Sequence, residues 1–318
     1  MILELESLGK SGAEGELFRV KEHKDIVAKV FNSPEIAKKK ESKIKAMIEL
    51  FKNMRATNPY YFKFFSETIT MPRARLYTRE KKFCGFLMNR IDVNSCLSLG
   101  HFMTDKYREY TRTTDYSLKI VVLERLVEIV EKLNKLNIVV GDLNYDNVFI
   151  CKCPKRNVKV VVIDVDSFQF EWSKRLFRLD GIHPDIIPPE ILKRRLPSVR
   201  ADSFVIGILM FRIIMKGFSP FQYIPDDAKD EMVEERILQG KNVFNTGRPP
   251  KGLPSFDFLA GLKQIIERAL NPEPFQRPST TEILTVLREI KKNIRVCHLC
   301  GYCTPPLSKC LFCGNSLE

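Results

Sequence analysis

The sequence predicts an α+β fold with a small β-rich part, a larger helical part and a short cysteine-rich tail. The first observation is a set of β-branched and aromatic runs, broken by glycines, in residues 1–91. The second is a series of segments with helical periodicity in residues 92–293. The third is that five of the nine cysteines lie in residues 294–318, which favours a bound metal over disulfide bonds.

The composition is that of an ordinary globular protein. The chain has 318 residues, of which 44% are hydrophobic and 29% are charged, enough to bury a substantial core. Its longest apolar run, residues 204–215, is shorter than a membrane span and contains Arg212. The N-terminus lacks the order of a secretory signal, so we expect a soluble cytoplasmic protein. The net charge of +13 favours acidic partners, but its lysines are mostly scattered and we attribute it to solubility.

The amino-terminal part is predicted to be a small mixed sheet with one helix. Strands are expected over residues 3–8, 17–20 and 26–31, and strand-like segments follow the helix and end with residues 83–91. The sequence Ser-Pro-Glu at residues 33–35 provides a cap, a proline in the first turn and an acid at the positive end of a helix. This helix should bury an apolar stripe that begins at Ile44.

The remainder of the chain is predicted to be mainly helical. Residues 115–136 are amphipathic, residues 204–215 are apolar on nearly every side, and residues 256–270 form a further helix. Ser279 and Glu282 form a capping box that opens the last helix. Cys151 and Cys153 lie in a predicted hairpin and are interpreted as structural bystanders.

The chemistry is indicated by an acid and an amide five residues apart, Asp142 and Asn147, followed by a β-branched strand that ends in Asp164. One carboxylate can receive a hydroxyl proton, while an amide and a second carboxylate can hold magnesium against ATP phosphates. Asp142 and Asn147 taken alone are also ordinary turn formers. Asp166 competes with Asp164 for the metal, and the two acids can also bind it together.

Three further features point to phosphate binding. Gly9, Gly12 and Gly15 lie between two predicted strands, where a bare backbone can approach phosphates, although such glycines are more often a hairpin turn. Lys29 lies inside an apolar strand and needs an anion or an outward orientation. Among the glutamates of the first helix, Glu41 lies beside the apolar stripe, about 60° from it, and is expected to face inward; the alternative is a solvated partner of Lys45.

In this order the elements resemble the eukaryotic-type protein kinases over residues 1–293. The resemblance implies a bilobal fold in which Lys29 binds the α- and β-phosphates of ATP and is held by Glu41. It implies that the three glycines cover the phosphates and that the adenine lies between the lobes, near Met88 and Arg90.

The resemblance also assigns roles to residues of the larger lobe. Asp142 would orient the substrate hydroxyl and accept its proton, and Asn147 and Asp164 would bind magnesium. Glu190, in Pro-Pro-Glu, would pair with Arg277, and Asp202 would brace the backbone of the catalytic loop, as the corresponding residues do in kinases.

The departures from the kinase pattern concern catalysis and its control. The histidine and arginine before the catalytic acid are replaced by valine and glycine, which removes the usual partner of an activation-loop phosphate. Only Ser167 and Ser173 offer hydroxyls between Asp164 and the Pro-Pro-Glu sequence, so activity without loop phosphorylation is predicted. Asn144 stands where kinases use a lysine, and Asp166 replaces the glycine of the Asp-Phe-Gly turn.

The cysteine tail contains two Cys-x-x-Cys pairs whose four thiolates can enclose a tetrahedral zinc ion. Cys303 and His298 are spare ligands that we interpret as packed or exposed beside the site. A tail this short needs a metal for stability. The four predicted ligands are Cys297, Cys300, Cys310 and Cys313.

The Gly-Asp-Leu-Asn and Ile-Asp-Val-Asp-Ser-Phe-Gln motifs, together with the tail, resemble a bacterial group of divergent Ser/Thr kinases that carry helix-hairpin-helix or zinc-ribbon modules and are associated with tellurite resistance. The resemblance implies a von Willebrand A-type protein and a metal-dependent phosphatase as partners. It predicts ATP- and Mg²⁺-dependent transfer to Ser/Thr hydroxyls of a protein, with Zn²⁺ in the tail. The alternatives are a pseudokinase scaffold and a nucleic-acid-binding protein that uses the basic surface and the ribbon.

Overall fold

The computed structural model describes residues 3–12, 14–91, 95–104, 116–152, 158–226 and 231–317. The chain divides into two compact units. The first comprises Met1–Cys96 and Val161–Asp180, and the second comprises Leu97–Val160 and Gly181–Glu318. The predicted boundaries at residues 91 and 293 stay predictions. Within the described residues, every helix is too short or too polar to span a bilayer.

The secondary structure follows the predicted change from strands to helices. The strands are β1 (Leu5–Ser11), β2 (Gly15–Val20), β3 (Ile26–Phe31), β4 (Pro72–Tyr77), β5 (Phe83–Asn89), β6 (Cys96–Ser98), β7 (Val148–Lys152), β8 (Val158–Val162), β9 (Phe170–Trp172), β10 (Arg175–Phe177), β11 (Arg295–Val296) and β12 (Cys303–Thr304). The α-helices are α1 (Pro34–Thr57), α2 (Pro59–Thr68), α3 (Leu99–Met103), α4 (Tyr116–Asn134), α5 (Pro189–Leu192), α6 (Arg200–Ile214), α7 (Val233–Gln239), α8 (Lys263–Ala269) and α9 (Thr280–Lys292).

The first unit is built on an antiparallel sheet of five strands in the order β1-β2-β3-β5-β4. β3 is the central strand, and Lys29 lies opposite Leu17 of β2 and Phe86 of β5. Helix α1 covers one face of the sheet, where Ile44 and Ile48 join a buried cluster with Phe86. The predicted apolar stripe of the first helix is therefore confirmed, and it fixes α1 beside the strand that carries Lys29.

The segment after α1 differs from its prediction. Strand-like segments were expected there, but Pro59–Thr68 forms helix α2. Asn58 caps this helix, since its side chain accepts a hydrogen bond from the Tyr61 amide at 3.1 Å, and Pro59 occupies the first turn. These local start signals outweigh the β propensity of the aromatic run, because that propensity is weak and depends on context.

Residues beyond Asp164 complete the first unit. A 3₁₀ turn, Val165–Ser167, leads into the antiparallel pair of β9 and β10. Phe170 and Phe177 stack across this hairpin with their centroids 5.1 Å apart. The Trp172 indole donates a hydrogen bond to Glu49 of α1 at 3.3 Å. The hairpin is thereby attached to the helix that covers the sheet.

The second unit is organised around helix α6, which is buried from Ala201 to Ile214, as its apolar sequence predicts. Helix α6 packs against α4 and α8, and α4 packs against α9. Ser279 caps α9 by accepting a hydrogen bond from the Glu282 amide at 3.1 Å. The predicted helix over residues 256–270 is wrong in one respect: a 3₁₀ turn, Phe256–Leu259, and α8 are separated by Gly261, whose φ of +78° interrupts a right-handed helix.

The cysteine tail belongs to the second unit. β11 and β12 pair antiparallel, and β12 lies against α4, with Thr304 fully buried. Elsewhere Cys96 and Cys151 are each disulfide-bonded, so Cys151 has a covalent role that its interpretation as a structural bystander did not include. Cys153 lies outside the described residues.

Candidate active site and metal centre

Lys29 is a buried lysine that two acids from a distant part of the chain surround. Its Nζ donates to both carboxylate oxygens of Asp166 at 3.0 Å and to Asp164 Oδ1 at 2.5 Å. The side chains of Lys29 and Asp166 are 9% and 1% exposed, whereas that of Asp164 is 35% exposed. These residues all belong to the first unit, so this unit alone brings together the strand lysine and the acids after β8.

The electrostatics of this cluster keep its main ion pair charged. Burial lowers the pKa of Lys29, but the charges of Asp166 and then Asp164 outweigh it and hold the pKa above its ordinary value. Burial opposes ionisation of Asp166, yet Lys29 and Lys40 hold its pKa below its ordinary value. Burial and the neighbouring charge of Asp166 raise the pKa of Asp164. Of the two acids, Asp166 therefore keeps its negative charge, and its ion pair with Lys29, to lower pH.

The backbone at Asp164 directs both acids toward Lys29. Asp164 has φ 59° and ψ 41°, in the left-handed region that aspartate tolerates better than most residues. Its carbonyl then accepts hydrogen bonds from the amide of Ser167 at 3.1 Å and from its hydroxyl at 2.8 Å. This closes the 3₁₀ turn that carries Asp166, so the strand end and the turn present one carboxylate each.

The expected pair between Lys29 and Glu41 is not formed, and this prediction is wrong. Glu41 is 41% exposed in its side chain and lies 3.6 Å from Arg75 of β4. Helix α1 instead presents Lys40 to the cluster. On a helical wheel Lys40 lies about 40° from Ile44, closer than Glu41, so the inner face of α1 is basic at this point.

Two lysines of α1 are site residues that the sequence prediction missed. Lys40 Nζ lies 2.7 Å from Glu14, 3.2 Å from Asp180 and 3.9 Å from Asp166. Lys43 Nζ reaches the same Asp180 at 2.5 Å. Both lysines are buried. The available signal was their spacing of three residues next to the apolar stripe, which puts both on the inner face of the helix.

The three candidate glycines occupy different environments. Gly9 has φ +63° and lies where the pairing of β1 with β2 shifts register. Gly12 donates to the Gly15 carbonyl at 2.8 Å and so closes the turn between these strands. A Cβ at Gly15 would lie 2.7 Å from the Val30 carbonyl oxygen, so strand packing requires this glycine. The predicted hairpin is present, and its phosphate-binding role stays a prediction.

Met88 and Arg90, the predicted neighbours of adenine, lie at the end of the central sheet. Met88 belongs to β5, is 8% exposed and pairs with Val27. The Arg90 amide donates to the Asp25 carbonyl at 2.9 Å. Neither position is tested as a nucleotide contact, and both stay predictions.

The second unit holds Asp142 in a network of donors. Its carboxylate accepts hydrogen bonds from the Asn144 amide at 3.1 Å, from the Asn147 amide at 3.0 Å and from the His183 backbone N–H at 2.8 Å. Asn147 Nδ2 also donates to the Asp142 carbonyl at 3.0 Å. With its nitrogen used in this way, the Asn147 side chain presents its oxygen as the atom suited to a cation.

Asn144 shapes this loop through both ends of its amide. Its oxygen accepts hydrogen bonds from the backbone N–H groups of Asp146 at 2.8 Å and Asn147 at 3.1 Å, while its nitrogen binds Asp142. An asparagine that bonds the backbone two residues ahead stabilises a turn. The residue in the place of the usual lysine thus holds Asp142 and Asn147 together.

Asp202 braces the backbone of this loop, as predicted. Its carboxylate accepts hydrogen bonds from the N–H groups of Val140 at 3.0 Å and Gly141 at 2.8 Å, and from Asn134 Nδ2 at 2.7 Å. Thr280 donates to Asn134 Oδ1 at 3.1 Å, which extends the network to α9. Burial raises the pKa of Asp202 to about 6 despite these donors.

The predicted pair between Glu190 and Arg277 is also formed. Two parallel hydrogen bonds of 2.9 and 2.8 Å join the guanidinium to the carboxylate, and both side chains are almost fully buried. Such bidentate geometry fixes orientation as well as charge. The pair connects α5 to the segment before α9.

The predicted magnesium ligands lie in different units, with Asn147 in the second and Asp164 in the first. Each unit thus supplies one oxygen ligand of the type that Mg²⁺ prefers. Their joint action on one ion stays a prediction.

The four predicted cysteine ligands of the tail converge. Their sulfur atoms lie within 4.8 Å of one another, and the pairs Cys297–Cys313 and Cys300–Cys310 are each 3.6 Å apart. Sulfurs around a tetrahedral zinc, at Zn–S distances of about 2.3 Å, lie about 3.8 Å apart, so the group fits this metal. The Asn315 side chain donates to Cys313 Sγ at 3.2 Å, the kind of contact that orients a thiolate ligand.

The five-stranded unit and the helical unit define a bilobal, protein-kinase-like α+β fold. No family model matches the chain. It is 22% identical to protein kinase YegI of Escherichia coli (strain K12), over 98% of this chain and 49% of that protein. It therefore spans about half the length of this curated relative.

Other similarities cover the chain in part. A calcium and calcium/calmodulin-dependent serine/threonine-protein kinase of Oryza sativa subsp. japonica is 27% identical over 57% of this chain and 31% of its own length. Inactive tyrosine-protein kinase 7 of Gallus gallus is 27% identical over 42% of this chain and 12% of its own length. These findings support a divergent bacterial kinase, and they do not single out a zinc-ribbon group.

Proposed function

We propose that the protein is an ATP- and Mg²⁺-dependent kinase that transfers the γ-phosphoryl group to Ser/Thr hydroxyls of a protein. The observation that carries this proposal is the contact of the buried Lys29 with the partly exposed Asp164, two residues 135 positions apart. A buried lysine held between acids suits the phosphates of a nucleotide, whose charge it can neutralise. The relatives named as protein kinases support the same activity.

The residues divide the work of phosphoryl transfer between the two units. Lys29 and the turn containing Gly9, Gly12 and Gly15 bind the phosphates, and Met88 and Arg90 lie near the adenine. Asn147 and Asp164 hold magnesium, which when bound neutralises charge on the phosphate oxygens. Asp142 orients the substrate hydroxyl and accepts its proton, and its three donors fix the direction of its carboxylate.

We expect activity without phosphorylation of the segment after Asp164. Lys43 donates to the carbonyls of Ser167 and Arg178 at 3.2 and 2.8 Å and pairs with Asp180, so α1 already holds both ends of the hairpin. The hydroxyl of Ser167 is buried and donates to a carbonyl. In the proposed enzyme, Lys43 of α1 holds this segment in place. In other kinases a phosphate on the segment does so by pairing with arginine.

The test measures transfer from labelled ATP to a protein acceptor and to the chain itself. Asp142→Asn should lower the rate by about 100-fold or more, the scale of a lost general base. Asp146→Asn, an exposed neighbour in the same loop, is the matched control and should keep the wild-type rate. Equal incorporation by wild type and Asp142→Asn would contradict the assigned role. Phosphoamino-acid analysis tests Ser/Thr specificity, and mass spectrometry confirms unphosphorylated starting protein.

A pseudokinase scaffold is the second candidate, and Asn144 favours it. The amide brings no cation to the transferring phosphoryl group and is occupied by Asp142 and the turn. The similarity to a kinase named inactive agrees with this candidate. A thermal shift with ATP and magnesium, without any phosphoryl transfer, would support the scaffold over the enzyme.

We further propose that the tail binds zinc and that the protein acts in the cytoplasm. A von Willebrand A-type protein and a metal-dependent phosphatase are the partners that the resemblance suggests. Co-purification with tagged chain, followed by mass spectrometry, tests these partners.

A further inference from the structure

Lys29 takes its acidic partners from one turn of the chain rather than from helix α1. Asp166 offers both oxygens at 3.0 Å, and Asp164 offers one. Glu41 pairs instead with Arg75 at the surface of the unit. Within the part of α1 that the structure describes, no acid contacts Lys29.

Asp166 and Asp164 are not equivalent partners. The Asp166 side chain is 1% exposed and is bound on both oxygens, so it cannot leave its cations without leaving a buried charge unpaired. The Asp164 side chain is 35% exposed and binds Lys29 through one oxygen. If Asp164 binds magnesium as proposed, Asp166 is the acid that remains committed to Lys29.

Lys40 supplies the second cation that a buried Asp166 requires. Its Nζ lies 3.9 Å from Asp166 and also contacts Glu14 of the glycine turn and Asp180 after the hairpin. An acid at position 40 would face all three carboxylates and be repelled by them. A positive residue at position 40 of α1 is therefore what a buried acid at position 166 requires.

We infer that Asp166 is the positioning residue that holds Lys29 for the phosphates, and that Lys40 of α1 is the counter-charge that keeps Asp166 in place. Helix α1 then contributes a lysine to a pair whose acid follows β8. Through Glu14, the same lysine connects α1 to the glycine turn. This inference rests on the proposed function, because it assigns residues to nucleotide binding.

The experiment compares binding of ADP with magnesium and binding of adenosine, measured by calorimetry on the full chain. Asp166→Asn should weaken ADP by about ten-fold or more and leave adenosine within about two-fold, because only ADP carries phosphates for Lys29. A general loss of structure would weaken both ligands. Lys40→Met should weaken ADP in the same selective way by a smaller factor, and Lys45→Met, an exposed lysine of the same helix, should not.

Lys29→Met tests whether Asp166 acts through Lys29. In that background Asp166→Asn should produce no further loss of ADP affinity, since the lysine that it positions is gone. If Asp166→Asn does not fold, the double variant with Lys40→Met is measured instead, because it also removes one of the two buried lysines that lose the charge of Asp166. Circular dichroism and thermal unfolding establish that each variant is folded.

The outcomes separate this inference from the proposed function. A wild-type chain that binds neither ADP nor ATP overturns the proposed function and the inference with it. Two results overturn the inference alone when the wild-type chain binds ADP. In one, Asp166→Asn binds ADP as tightly as the wild type. In the other, it loses as much affinity for adenosine as for ADP. A selective loss of ADP affinity in Glu41→Gln as large as that in Asp166→Asn would also overturn the inference, because it would assign the positioning role to Glu41 of α1.

Discussion

Arg277 has a buried guanidinium, and its removal should lower the free energy of unfolding of the second unit by more than the loss of a surface residue does. It donates to both oxygens of Glu190 at 2.9 and 2.8 Å, and the two side chains are 0% and 5% exposed. Its other donors reach the carbonyls of Asn271, Pro272 and Arg200 at 2.7, 3.1 and 3.0 Å. Arg277→Met therefore leaves one buried carboxylate without a cation and three carbonyls without this donor.

The size of the effect follows from the unpaired charge. Breaking one side of a buried ion pair costs about 3–5 kcal/mol, and we expect Arg277→Met to lie at the upper end because the carbonyls also lose donors. The double variant Glu190→Gln with Arg277→Met carries no charge at either position of this pair. It should be more stable than the sum of the two single changes implies, by about 2 kcal/mol or more.

Urea unfolding followed by circular dichroism gives the free energies. Fluorescence of Trp172, the single tryptophan, reports the first unit separately, and the transition seen by circular dichroism should shift more. Arg268→Met is the matched control, since Arg268 pairs with Glu282 at the surface and its loss should cost about 1 kcal/mol or less. A cost below about 1 kcal/mol for Arg277→Met, or strict additivity in the double variant, would refute the reasoning.

Three further outcomes are expected. If the tail binds zinc as proposed, Cys300→Ser should lower the metal content measured by elemental analysis and lower the melting temperature, because a bound metal stabilises so short a tail. Burial raises the pKa of Asp202 from 3.8 to about 6, so the folded chain keeps a proton that the unfolded chain releases. Stability relative to Asp202→Asn should then fall by about 3 kcal/mol as pH rises across this interval, measured by urea unfolding. Gly85→Ala should cost about 3 kcal/mol or more, because its Cβ would lie 2.0 Å from the Lys29 carbonyl oxygen; Gly12→Ala, with 3.6 Å to its nearest atom, should be far milder.

Each of these expectations has an opposing result. Full metal content in the cysteine variant would show that other groups hold the ion. Parallel pH profiles for wild type and Asp202→Asn would mean that the carboxylate ionises as readily in the folded chain as in the unfolded chain. Equal melting temperatures for the two glycine variants would mean that the central strands separate at little cost.

The sequence was informative wherever local pattern decides structure. The all-round apolar segment of α6 predicts burial, and Ser279 predicts the start of α9, because each depends on residues within a few turns of one another. The motif around Asp142 predicts the loop that Asp202 braces. The contact of Lys29 with Asp164 was not predicted, since no local rule relates residues so far apart in the chain. Only the family resemblance assigned both residues to one nucleotide.

The errors occurred where the deciding contact is distant in sequence. The acid nearest the apolar stripe of α1, Glu41, was expected to meet Lys29, but the carboxylates of Asp166 and Asp180 already occupy that side and select Lys40. A helical wheel gives the direction of a side chain without the charge it will face. Similarly, the break at Gly261 depends on a positive φ that periodicity does not encode.

The burial of Thr304 against α4 has a mechanical consequence for the tail. A tail attached only by a flexible linker would reorient independently of the helices. Here the strand that carries Thr304 is seated on a helix, so tail and helical unit should tumble as one body, and their backbone amides should share a single rotational correlation time. A protein that binds the tail and moves it would then also move α4.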